Sequence, residues 1–102
     1  MAVLGDLEPK ALWQHFEKIC EIPHPSGQEA ALMAHIAAWA DERGFPYERD
    51  GVGNLVIRVP ASPGKEGAPT VALQGHVDMV PEKNSGVAHD FEKDPIRPRI
   101  VD

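Results

Sequence analysis

The chain has 102 residues, 42% hydrophobic and 25% charged, with a formal net charge of −6; this suits one small globular domain with a modest core. The acidic balance and the scattered Lys and Arg exclude a nucleic-acid backbone as main partner, since phosphate binding needs a basic face. No apolar run approaches the roughly 20 residues that span a bilayer, and the lone cysteine, Cys20, excludes an internal disulfide.

Residues 8–21 are expected to form an amphipathic helix. Pro9 suits its first turn, and Leu12, Phe16 and Ile19 with Trp13 and Cys20 make an apolar stripe at helical spacing. A free thiol on such a face behaves as a small hydrophobe, so Cys20 is read as structural rather than nucleophilic. Pro23 and Pro25 end the helix, and His24, preceding a proline, is pushed toward extended backbone. Ser26 and Glu29 have the spacing of a capping box. The helix they open carries Leu32, Met33, Ile36, Trp39 and Ala40 on one face, and Gly44 is placed to close it in a left-handed conformation.

Past Gly44 the period becomes strand-like. Pro46 to Arg49 and Asn54 to Val59 are expected to pair across the turn Asp50-Gly51-Val52-Gly53 as a hairpin. Pro60 to Pro69 reads as a solvent loop. Thr70 to Gln74 is expected to be a central buried strand, and 94–102 an edge strand. Two helices followed by about three strands predict part of an α/β layered domain.

The central strand delivers Gly75-His76-Val77-Asp78. Open α/β sheets bind ligands and metals beyond the carboxyl ends of their strands, and histidine is a natural metal ligand. In extended backbone residues i and i+2 point to one side, so Asp78 could hold the second nitrogen of the His76 ring, as carboxylates do behind zinc-bound histidines. The residues alone leave two readings open: metal ligation by His76, or a histidine satisfied by hydrogen bonds at a strand end with Asp78 capping a turn.

Other candidates have duller explanations. His24 reads as a surface or helix-entry residue, and His15 and His35 as helix residues at the solvent margin. Adjacent residues point apart in extended chain, which makes His89-Asp90 poor geometry for a shared site. Glu82, Glu92 and Asp94 are conceivable general bases but lie in polar loops. Trp13 and Trp39 are core residues by spacing. Gly51-x-Gly53 lacks the helix and lysine of a phosphate loop. Residues 1–10 show no basic region followed by an apolar one; with no disulfide, the expected location is cytoplasmic.

The sequence resembles the N-terminal segment of the aminoacyl-histidine dipeptidases, cytosolic non-specific enzymes of the di-zinc exopeptidase superfamily. The likeness rests on Leu12-Trp13 through Ile19-Cys20, on Ile22-Pro23-His24-Pro25-Ser26-Gly27, and on Glu48-Arg49-Asp50 with Val52-Gly53-Asn54. Its specific part is Leu73-Gln74-Gly75-His76-Val77-Asp78-Met79-Val80-Pro81-Glu82-Lys83-Asn84, followed by His89-Asp90-Phe91 and Lys93-Asp94-Pro95-Ile96.

The resemblance implies the N-terminal part of a three-layer α/β/α catalytic domain that hydrolyses dipeptides, Xaa-His among them, with two zinc ions per site. It implies that His76 ligates one zinc and that Asp78 is the catalytic-site carboxylate orienting that ring. It admits a homodimer for the intact enzyme, and no nucleic acid or membrane partner. In the family the bridging aspartate, the glutamate base and the other ligands come later in the chain than any residue here, as does the lid domain. Catalytic zinc normally keeps three protein ligands, so the isolated segment is expected to be inactive. Two alternatives are a non-catalytic remnant that binds a peptide or partner, and a related aminotripeptidase or deacylase. The Met-Val-Pro-Glu-Lys-Asn and His-Asp-Phe blocks speak against the latter.

Overall fold

The computed structural model describes residues 3–102. It contains helix α1 (Lys10–Glu21), helix α2 (Ala30–Glu42) and strands β1 (Tyr47–Arg49) and β2 (Leu55–Ile57). The coarse α/β expectation is met. The chain divides into two compact units, one made of the chain up to Leu32 with Val77–Asp102, the other of Met33–His76.

In the first unit, α1 starts after Pro9, whose backbone is extended (φ −75°, ψ 130°). Its buried face differs from the expected stripe. Glu17 and Cys20 are buried, Trp13 and Ile19 are half-buried, and Leu12 and Phe16 are exposed. The reason lies in the preceding segment: the Glu17 carboxylate accepts the backbone N–H groups of Val3 and Leu4. Buried backbone donors require partners, and a carboxylate turned inward supplies them, carrying Leu4 into the core at 4% exposure. A sequence pattern that counts only apolar residues leaves such a carboxylate outside.

The segment 94–102 is not an edge strand. It runs beside α1, where the Ile96 N–H donates to the Cys20 carbonyl at 2.8 Å. That carbonyl is among the last four of the helix, which have no partner within it. Ile96, Pro98 and Ile100 line an apolar groove with Leu4, Trp13 and Phe16.

The expected capping box is absent. Helix α2 begins at Ala30, Glu29 accepts the Gly27 N–H (2.6 Å), and the Ser26 hydroxyl is bonded elsewhere. Leu32, at 2% exposure, is the most deeply buried large side chain described.

In the second unit, α2 continues with Ala37 and Ala40 buried. It closes as the sequence led us to expect. Gly44 has φ +71° and donates to the Asp41 carbonyl (3.0 Å), while the Phe45 N–H reaches the Ala40 carbonyl (2.9 Å). This is the Schellman arrangement. Phe45 packs edge-on against Trp39, with ring centroids 5.7 Å apart, and Arg43 lies 4.4 Å from the Trp39 ring centre. The hairpin forms too, shorter than expected: β1 and β2 are antiparallel, with Glu48 opposite Val56. The Asp50 carboxylate holds its turn by accepting the N–H groups of Val52 and Asn54 and the Asn54 side-chain amide at 2.7–3.0 Å.

Thr70 to Gln74 is not in a strand, and the described residues hold two strands where the sequence led to three. Val71 is 79% and Leu73 96% exposed. Their composition suits a sheet interior, but strand pairing and burial need neighbouring strands, and β1 and β2 pair only with each other.

Candidate functional site

The linker between the helices meets the segment after His76 in a single parallel β-bridge, Pro25 opposite Met79. The Met79 N–H donates to the His24 carbonyl (3.0 Å), and the Ser26 N–H donates to the Met79 carbonyl (3.1 Å). Pro25 has no N–H to offer, but a parallel bridge uses the groups of its two neighbours. Prolines at 23 and 25 also bias the residues before them toward extended backbone. The linker is thereby shaped for this pairing by its own sequence.

The bridge sets one side-chain contact. The Ser26 hydroxyl donates to Oδ2 of Asp78 at 2.6 Å, a short bond to a charged acceptor across 52 positions of sequence. Asp78 is half-buried. His76 is exposed and belongs to the other unit. Among the described residues no group of three or more His, Cys, Asp or Glu side chains is arranged to hold a metal ion. The imidazole of His76 is a donor of a type that zinc accepts.

His24, expected at the surface, is buried at 8% exposure, with Nδ1 2.7 Å from the Ile22 carbonyl oxygen. With the proton on Nδ1 it donates to that carbonyl, which is a structural role. His89 stacks edge-on against Phe91, ring centroids 4.7 Å apart, and its Nε2 is buried without a hydrogen-bond partner. Asp94 accepts the Asp90 N–H (2.8 Å), and Glu92 accepts the Gln28 amide (3.1 Å), so both tie loops together. Burial, and then the nearby Glu17 carboxylate, push the Cys20 thiol above its ordinary pKa. That disfavours the nucleophilic thiolate.

Sequence reasoning missed Ser26 as the partner of Asp78. The helix-capping pattern around it offered a local role that the tertiary contact displaced, and no spacing rule spans 52 residues.

No protein-family model matches the chain. The chain is 54% identical over 100 residues to the cytosol non-specific dipeptidase of Escherichia coli, a match covering 98% of this chain and 21% of that protein. It is 43% identical over 61 residues to a LysW-lysine hydrolase of Deinococcus radiodurans, covering 59% of this chain and 15% of that protein. Among solved structures, the aminoacylhistidine dipeptidase of Vibrio alginolyticus superposes with a TM-score of 0.93 at 52% identity, covering 96% of this chain and 20% of that one. The resemblance read from the sequence is borne out, and the chain spans about a fifth of the length of these two dipeptidases.

Proposed function

We propose that this chain is the N-terminal portion of the catalytic domain of a zinc-dependent dipeptidase of the three-layer α/β/α type, with His76 as one zinc ligand and Asp78 as the carboxylate that orients it. The observation that carries this reading is the 54% identity to a cytosol non-specific dipeptidase across 98% of the chain. The LysW hydrolases match little more than half of it, which favours dipeptide substrates, Xaa-His included, over theirs. A cytoplasmic location follows from the same relative's name. No described helix is long and apolar enough to cross a membrane.

Bound zinc polarises a scissile carbonyl and lowers the pKa of its water. This chain's own contribution is orientation. A carboxylate that accepts the second imidazole N–H fixes tautomer and ring direction and raises the basicity of the ligand nitrogen. One donor makes no tight site, so the 102-residue chain by itself is inactive.

A chimera tests this, with residues 1–102 replacing the matching segment of the Escherichia coli relative. The zinc-loaded chimera is expected to cleave Xaa-His dipeptides and to lose at least ~100-fold in kcat/KM with His76→Ala, a ligand being worth more than the outer partners that cost 10–100-fold. The chain alone is expected to show neither hydrolysis nor stoichiometric zinc binding by calorimetry. Full activity of the His76→Ala chimera, or micromolar zinc binding with peptidase activity by the chain alone, would refute the proposal.

A further inference from the structure

We infer that Ser26 is a positioning residue for Asp78: its hydroxyl selects the carboxylate rotamer in which Asp78 can act on a ligand histidine. This rests on the role proposed above for Asp78. The contact itself is independent of that role.

Three features of the first unit support it. The Oγ–Oδ2 distance is 2.6 Å, at the short end for a hydroxyl on an ionised acceptor. The backbone bonds flanking Pro25 and Met79 fix the two segments in a parallel register that sets His24 beside Asp78, and the Ser26 hydroxyl reaches Asp78 diagonally across the bridging pair. Ser26 also gives up a competing task, since the helix it could have capped starts four residues later at Ala30. An N-cap hydroxyl ordinarily stabilises the helix it opens.

The chemistry explains the value of such a contact. A carboxylate on a single Cβ can turn either oxygen, or neither, toward an imidazole. With Oδ2 engaged by a hydroxyl, the plane of the carboxylate takes a defined direction. Precise placement of groups behind a metal ligand is what makes them effective.

The first readout is the χ1 angle of Asp78 in the 102-residue chain, from side-chain scalar couplings. Wild type and Ser26→Thr, which keeps the hydroxyl, are expected to hold one rotamer, whereas Ser26→Ala averages over several with the 47–57 hairpin signals unchanged. The second readout is kinetic, in the chimera: Ser26→Ala is expected to lower kcat about 3–10-fold at unchanged KM, below the 10–100-fold typical of a direct outer partner, and Ser26→Thr to restore it within about twofold.

A single Asp78 rotamer in Ser26→Ala, averaging already in wild type, or averaging in Ser26→Ala without loss of kcat would each overturn the inference. Asp78→Asn distinguishes its failure from that of the parent reading. Full activity of that variant overturns the role of Asp78 itself, whereas a large loss there with no effect of Ser26→Ala overturns only the role of Ser26.

Discussion

Replacing Leu32 and Leu73 separately by alanine tests the fold at its two extremes. Leu32 is 2% exposed and Leu73 96% exposed, although the sequence pattern assigns both to buried faces. Leu→Ala removes three carbons, and at about 0.8 kcal/mol for each carbon buried the transfer loss at Leu32 is about 2.4 kcal/mol. An unrelaxed cavity raises such costs toward 5 kcal/mol. Here few apolar side chains are buried, Leu4, Cys20, Ala37 and Ala40 besides Leu32, so partly exposed neighbours can settle into the void. The expected cost is about 2.5–3.5 kcal/mol, about half the stability of a domain at the low end of the usual 5–15 kcal/mol. At roughly 4–8 °C per kcal/mol, Tm falls by about 10–28 °C. Leu73→Ala is expected to stay within about 0.5 kcal/mol of wild type, as surface changes do. Thermal and urea unfolding followed by circular dichroism would measure both. Equal losses in the two variants would refute this, because Leu73 would then be buried in a sheet or against another chain.

Gly44→Ala should cost about 1 kcal/mol from backbone strain alone, because φ is +71° and an added Cβ meets nothing within 4 Å; Gly67→Ala, with equal space and no positive φ, should be near neutral in the same urea titrations. Hydrogen bonds from the Asn54 side chain and backbone, and from Val52, hold the Asp50 carboxyl below its ordinary pKa. A depressed carboxylate contributes stability that is present above the unfolded value of about 3.9 and is lost as pH falls through the folded one. An NMR titration of Asp50 should therefore show a midpoint below 3.9 with the hairpin loosening through it, and a midpoint at or above 3.9 would contradict the turn geometry. Iodoacetamide should modify Cys20 at pH 8 at least ~10-fold more slowly in the folded chain than in urea, given its burial and raised pKa; equal rates would place the thiol at the surface.

Local physics made several elements legible in the sequence. The bodies of both helices, the closure of α2 at Gly44 and the turn at Asp50 depend on interactions within a few residues and appear where the pattern puts them. Pro23 and Pro25 likewise announced an extended linker. By contrast, α2 starts at Ala30 rather than after Ser26, and α1 buries Glu17 in place of Leu12 and Phe16. His76 and Asp78 stood out from their place after an apolar segment, and the blocks around them pointed to the dipeptidases that the comparisons bear out.

Contacts between distant segments decided the rest. Glu17 turns inward because the N–H groups of Val3 and Leu4 need an acceptor. Ser26 leaves its helix for a carboxylate 52 residues away, and residues 94–102 lie along α1 rather than pairing as a strand. Thr70 to Gln74 shows the limit most clearly: β-branched and apolar residues state a preference for a sheet interior, but a strand's hydrogen bonds belong to its neighbours. The sequence by itself determined the elements whose partners lie close in the chain and the residue types of the site. Only the tertiary structure decided which polar groups face inward and which partner each one takes, because a buried donor or acceptor is satisfied by whatever the fold brings to it.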